Sequence, residues 1–298
     1  MPTLSPNLRG ILMMTAAMAS FTINDSFLKV AMAGIPPYET LFLRSVVMLA
    51  AGVPLLAAMG DIKFLPTIVS SRVMGRNLFE AVGALGFIFA LAYAPIADVT
   101  AISQLIPMLV LVGAVLFFGE KMSRMQGALV VFAFGGALLV AQPGGAGFSP
   151  FLLLGFWNAA AIATRDLLGR RIGAEIPGLV VAMGAGLTVL VGAGVGSLLL
   201  EKLVMPDVTQ LGLLLCSGLF VMLAHWLVFT SFRTASVGAV VPFIYTQTIW
   251  ALIAGALVFH TVPNLLAGAG IAVIVISGVA VVLSERRRQK SLLQANLP

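Results

Sequence analysis

Charge is what this sequence has least of. Only 9% of its 298 residues are charged, 60% are hydrophobic and the mean hydropathy is +1.09, whereas roughly a quarter of an ordinary water-soluble domain is charged. A soluble fold cannot hide that much apolar surface, so the useful unit is the hydrophobic run of about 20 residues that crosses a bilayer. Cysteine is nearly missing as well. The one thiol, Cys216, lies inside an apolar run, excludes an intramolecular disulfide, leaves the redox compartment undetermined and reads as a small packing residue. No stretch is long and polar enough to form a soluble domain, which excludes a separate catalytic module. The glycine clusters do not supply a nucleotide loop. "GAGVG" (192–196) sits inside an apolar run with no strand before it and makes Gly192 and Gly196 a small-xxx-small packing face, while "GEKMS" (119–123) lacks the upstream glycine of a phosphate loop. The sequence carries no metal-ligand cluster, no nucleophile elbow and no ATP-binding signature, so the expectation is no enzyme, no cofactor and no metal, and any active transport must draw on a gradient or on exchange.

What is present is hydrophobic length. Apolar runs bounded by charge, proline or glycine fall at 10–31, 38–59, 74–94, 97–118, 125–141, 150–169, 177–199, 208–232, 236–258 and 264–284. The spacing predicts ten transmembrane helices. The third and fourth are separated by one tight polar turn in "YAPIADVT" (93–100), where Pro95 and Asp98 break what would otherwise be a single very long helix. With the N-terminus in the cytoplasm, thirteen of the 17 basic residues fall on that side, from Arg9 through the Lys63, Arg124 and Arg171 loops to Arg286–Arg288 and Lys290. The opposite side holds only Lys29 and Lys202. That bias predicts both termini in the cytoplasm, with 285–298 as a basic cytoplasmic tail, and it explains the net charge of +6 without nucleic acid. An "AMA" at 17–19 resembles a signal-peptidase site, but the apolar stretch before it is too short for a leader, so the first span is expected to remain.

Sliding the sequence on itself by 141 residues lays Asp25 on Asp166, Lys29 on Arg170, Pro36 on Pro177, Phe118 on Phe259 and Gly127 on Gly268. The register predicts two five-helix repeats, 9–141 and 150–284. Five is odd, so the second copy enters the membrane from the opposite side. Inverted repeats are a recurring architecture of secondary transporters, because two halves of swapped orientation supply two similar closures, one facing each side.

Ionisable and polar residues inside these runs are the candidate functional groups, since each is costly in hydrocarbon. Asp25 with Lys29, and Asp166 with Arg170, stand four apart on one helix face. They read either as ion pairs that fix helix depth or as gating or substrate groups. Arg44 in the second span has no carboxylate four residues away, and Glu39 is five back. Glu80 in the third reads as the partner of Arg76, or as a proton-titrating or cation-binding carboxylate in a central cavity. The fourth span carries Ser103, Gln104 and Pro107, and its counterpart, the ninth, carries "PFIYTQTIW" (242–250). Tyr245 and Trp250 could stack a flat substrate while Gln247 hydrogen-bonds it, and ordinary packing accounts for the same residues. His225 in the eighth span reads as a core histidine or a cavity residue. Asn158 and Arg165 share a face of the sixth, where the arginine either binds an anion or snorkels to the interface.

At this point the residues resemble a known group. The tandem five-helix repeats, "IPPYETLFLR" (35–44), "AYAPIADVTAI" (92–102) and "FFGE" (117–120) look like the drug/metabolite transporter superfamily, EamA-type branch, over about residues 9–284. The resemblance implies that spans one, three, four, six, eight and nine surround a central cavity, with five and ten peripheral and at a homodimer contact. Where the repeat would place a second "GE" the chain has His260 and Thr261, which puts a ligand role for Glu120 in doubt. The expectation is an all-α secondary transporter of the cell inner membrane. It would move a small polar or zwitterionic metabolite, an amino acid or a flat heterocycle of vitamin or nucleoside type, by alternating access with proton or exchange coupling. The rivals are a channel-like facilitator and, from another class, an intramembrane enzyme or receptor.

Overall fold

The structure is a computed structural model that describes residues 5–119, 122–142, 149–169, 171–173, 175–235 and 237–295. Among the described residues it is helical throughout, with no strand. The helices are α1 (Pro6–Ala31), α2 (Pro37–Met59), α3 (Ser71–Tyr93), α4 (Ile96–Ser103), α5 (Ile106–Phe118), α6 (Arg124–Ala141), α7 (Leu152–Gly169), α8 (Gly178–Leu200), α9 (Val208–Thr234), α10 (Val237–Val240), α11 (Thr246–Leu257) and α12 (Leu265–Ala295). Eight stretches, counting Ile96–Phe118 as one, are long and apolar enough to cross a membrane, and Val241–Leu257 is a shorter apolar helix. With so many Leu, Val and Phe side chains pointing outward from these helices, the chain is a multi-pass membrane protein whose outer surface is solvated by lipid.

The sequence sets where the helices start and stop. Pro37 stands in the first turn of α2, where its missing N–H costs nothing. Ser123 and Asp207 close capping boxes with Gln126 and Gln210 at the starts of α6 and α9. The start of α2 is capped from a distance: the Glu201 carboxylate accepts the N–H groups of Tyr38 (2.9 Å) and Glu39 (3.0 Å), and the Glu39 carboxylate accepts Val204 N–H (3.0 Å) in return. Negative charge belongs at a helix N-terminus, so α8 and α2 are tied at one end of the molecule.

Helix boundaries recur at the interval of 141 read from the sequence. Moving α2 by that interval gives the limits of α8, the end of α3 gives the end of α9, and the starts of α4 and α6 give the starts of α10 and α12. The caps recur too. Ala94 (φ −129, ψ 161) and Ala235 (φ −131, ψ 163) end α3 and α9 in the same extended conformation. Gly119 turns the chain out of α5 at φ 66, and His260, its counterpart, does so at φ 52. The left-handed turn is thus kept although the glycine is not, at a cost that a non-glycine residue ordinarily avoids.

Packing follows the same pairing. The heaviest contacts are α1 on α9 and α3 on α7, which exchange under the interval, and α2 on α8 and α6 on α12, which each pair with their own counterpart. α6 and α12 cross where Gly136 meets Gly270, so closely that a Cβ at Gly136 would stand 2.8 Å from the Gly270 carbonyl oxygen. Two chain breaks matter most for the site. α4 gives way to α5 at Gln104 and Leu105, and α10 continues through a 3₁₀ turn, Val241–Tyr245, before α11 resumes. Pro107 and Pro242 account for both, since each lacks the N–H that an uninterrupted helix would use.

Candidate functional site

A cavity of about 270 Å³ opens between these helices at the depth of the two breaks. α1 supplies Phe21, Asn24 and Asp25, α2 supplies Arg44, and α3 supplies Glu80 and Phe87. Ser103 ends α4, Asn158 and Arg165 come from α7, His225 from α9 and Gln247 from the first turn of α11. Alanines 182 and 185 and Gly186 of α8 form a smooth wall. α6 and α12 contribute nothing to the lining, as the resemblance implied for spans five and ten, whereas α2 and α8 join the six helices expected around it.

The charges in the cavity form two groups. On the α3–α7 side, one oxygen of Glu80 accepts Arg76 (3.0 Å, one turn earlier on α3) and Arg165 (2.7 Å, from α7). Arg165 also holds Asp166 at 2.7 Å, and Arg76 donates to the Asn77 side-chain oxygen at 2.8 Å. Two carboxylates against two guanidiniums leave this group neutral and its donors engaged, the condition under which buried charge is tolerable. On the α1–α2 side, Asp25 accepts Asn24 Nδ2 at 2.8 Å, and Asn24 is fixed in turn by the Ser217 hydroxyl at 2.7 Å. Arg44 lies within electrostatic reach of Asp25 and Glu80, but among the described residues it makes no ion pair and its buried Nε has no hydrogen-bond partner. His225 stands edge-on to Phe21 with ring centres 5.3 Å apart, and Asn158 donates to the Ser103 hydroxyl at 3.3 Å.

Of the residues singled out from sequence, Glu80, Ser103, Asn158, Arg165, His225, Gln247, Asp25 and Arg44 come together here. Others do not. Gln104 is buried beside the α4–α5 break and does not line the cavity. Tyr245 is buried in the 3₁₀ turn with its ring against Gly278 of α12, because the tightened turn rotates it away from the centre. Trp250, one turn into α11, lines an apolar groove between α1 and α11 on the outside of the bundle. The Asp25–Lys29 ion pair is absent. Lys29 Nζ reaches the carbonyl oxygens of Leu91 and Ala94 (2.7 Å), lying 5.7 Å from the centre of the Phe259 ring; the end of α3 offers it unpaired carbonyls, which a lysine satisfies. Asp166 pairs with its neighbour Arg165; its expected partner Arg170, like Glu120, lies outside the described residues. The Arg76–Glu80 pair is as expected. Asn24, Phe21 and Phe87 were not marked as site residues from sequence. A polar side chain beside Asp25 was a usable signal for the first of them, and nothing distinguished the two phenylalanines from the other apolar residues.

A charged and hydrogen-bonding cavity between the helices of a multi-pass bundle is what a membrane transporter of small metabolites requires. Residues 8–142 match the model of the EamA-like transporter family. The chain is 26% identical to a riboflavin transporter of Rhizobium johnstonii, over 74% of this chain and 72% of that protein. It is also 26% identical to a pseudopaline exporter of Pseudomonas aeruginosa over 91% and 95%, and 23% identical to an S-adenosylmethionine uptake transporter of Rickettsia conorii over 71% of each. A solved crystal structure shares the fold with a TM-score of 0.66 at 22% identity, over 94% of this chain and 98% of the other. These matches bear out the resemblance: the first half of the chain is similar to the EamA-like transporter family, and the relatives that span most of the chain are named as transporters.

Proposed function

We propose that this transporter is a cytoplasmic-membrane carrier of ten spans arranged as two inverted five-helix repeats, 9–141 and 150–284, with both termini in the cytoplasm. Its cargo is a small zwitterionic metabolite bearing a flat group, and it works by alternating access. The recurrence of helix limits and caps at 141 residues and the exchange of α1–α9 with α3–α7 packing support the repeat. A cavity at the depth of two broken helices supports the mechanism, since carriers of this kind bind cargo where discontinuous helices meet.

One observation carries the substrate reading: the buried Nε of Arg44 that has no partner, in a cavity where Asp25 has only Asn24. A buried guanidinium left short of an acceptor costs free energy, which a ligand carboxylate would recover through a charge-assisted bond. Asp25 then takes the ammonium end, Phe21 and Phe87 flank a flat group, and Gln247 and Asn158 bond its edges. Glu80 is already engaged by two arginines and serves as a strut. The relatives named for riboflavin and S-adenosylmethionine fit this chemistry in kind: both cargoes carry a flat ring system, and the second also carries an amino-acid zwitterion. Thermal unfolding of the purified protein against a panel of zwitterions and flavins tests the reading, because a ligand of the folded state raises the transition with its concentration. Arg44→Gln should abolish the shift produced by the best zwitterion. An undiminished shift in that variant would remove Arg44 from the site.

A further inference from the structure

We infer that the end of the molecule where α3 begins and α7 ends binds a phosphate group, carried by an anionic phospholipid headgroup or free in solution. There Ser71, Arg72, Gly75 and Arg76 face Leu168 and Arg171 across a recess of about 170 Å³. Arg76 is engaged by Glu80 at one nitrogen and by Asn77 at another. Among the described residues, Arg72 and Arg171 make no ion pair. The guanidinium of Arg171 lies 5.7 Å from the centre of the Phe118 ring, a stack that orients its head and leaves its N–H edge free. Guanidiniums gathered around one recess repel each other unless an anion joins them, and a phosphate oxygen set matches their fork of donors. The opening turn of α3, whose N-cap Ser70 makes no side-chain bond, adds positive potential at the same mouth.

The other half of the molecule shows that the fold does not require this charge. The interval of 141 carries Arg72 to Leu213, Arg76 to Ser217, Leu168 to Phe27 and Arg171 to Val30. Phe27, Val30 and Leu213 line the groove that also holds Trp250, and no charged residue lines it. Three counterparts of the recess residues thus line an apolar groove, and the positions of Arg72 and Arg171 are filled there by leucine and valine. Loop-charge topology asks for basic residues on the cytoplasmic side, not for three of them around one recess between two helix ends. Such recesses on the cytoplasmic side suit anionic headgroups. Neither Arg72 nor Arg171 lines the central cavity, so this site stands whether or not the Arg44 reading holds.

The test uses the full chain purified in an uncharged detergent. Its thermal unfolding is followed while phosphatidylglycerol, phosphatidylcholine or sodium phosphate is titrated in at constant ionic strength, for the wild type, Arg72→Gln, Arg171→Gln and the double variant. Both arginines are exposed, so the variants should unfold as the wild type does without ligand. The expected result is a saturable upward shift with phosphatidylglycerol and none with phosphatidylcholine, its midpoint concentration rising about tenfold for each arginine removed. The same variant-sensitive shift with sodium phosphate alone assigns the recess to free phosphate. No saturable shift with either anion, or one that the double variant leaves unchanged, overturns the proposal.

Discussion

Arg44 and Arg165 are two arginines inside membrane-spanning runs, and they end in opposite conditions. Arg165 Nη1 meets Glu80 and its Nη2 meets Asp166, both at 2.7 Å, while Arg44 Nε meets nothing. Removing a charge from the engaged group should therefore cost stability. In Glu80→Gln two guanidiniums lose a shared carboxylate, and breaking a buried pair costs about 3 to 5 kcal/mol. The amount of folded protein and its unfolding temperature should both fall, and wild-type values for both would show that water or lipid phosphate takes the carboxylate's place. The sequence made part of this legible. Arg76 and Glu80 are one turn apart on one helix, so spacing alone pairs them. Arg165 reaches Glu80 from 85 positions away, which no local pattern contains. Spacing also misled for Lys29: four residues separate it from Asp25, but a long flexible side chain near a helix end finds the bare carbonyls of α3 sooner than a carboxylate held by Asn24.

Among elements, the runs were legible because hydrophobic length is a direct requirement of the bilayer, and their limits move by only a few residues between sequence and structure, except that α12 continues as a helix past the apolar run to Ala295. The breaks were less so. Pro107 and Pro242 mark the two interrupted spans, but the sequence does not say that the second tightens into a 3₁₀ turn over Val241–Tyr245. That tightening sends Tyr245 toward Gly278. Two element contacts yield predictions. α6 and α12 approach through Gly136 and Gly270 with backbone against side-chain-free backbone, so Gly136→Leu should force them apart and destabilise the protein by about 1 to 3 kcal/mol. An unfolding temperature equal to that of the wild type would mean that the pair separates freely. His260 holds a left-handed turn at φ 52 where the first half uses Gly119. Such a conformation disfavours a side chain by roughly 1 to 2 kcal/mol, so His260→Gly should raise the unfolding temperature or leave it unchanged. A clear fall would reveal a contact made by the imidazole that outweighs the turn.

At the scale of the whole molecule, the helices fall into two groups that the 141-residue interval exchanges, α1 and α9 in one and α3 and α7 in the other. α1 and α3 barely touch, yet Lys29 joins them, donating from α1 to Leu91 and Ala94 at the end of α3. A bond between groups that pack weakly otherwise is well placed to hold one end of the central cavity shut, and alternating access requires such a tie to break once in each cycle. Leu28 reports on it: it lines the cavity one residue before Lys29 and is 2% exposed. With Cys216 replaced by serine, Leu28→Cys carries the chain's one thiol, and a membrane-impermeant maleimide added outside intact cells should label it slowly. Adding Lys29→Met removes two charge-assisted bonds, each worth about 1.5 kcal/mol or more, without removing the length of the side chain that fills the site. Labelling should then accelerate by about tenfold or more, since 1.4 kcal/mol is a factor of ten in the open population, which sets the labelling rate when opening and closing are fast relative to the maleimide reaction. The same acceleration should appear on adding a transported zwitterion to the Lys29 protein, because cargo biases the same opening. If Lys29→Met labels at the parent rate while the protein still folds and transports, the lysine caps α3 and gates nothing, and the closure of that end must be sought in the apolar contacts around Leu28 and Ile35.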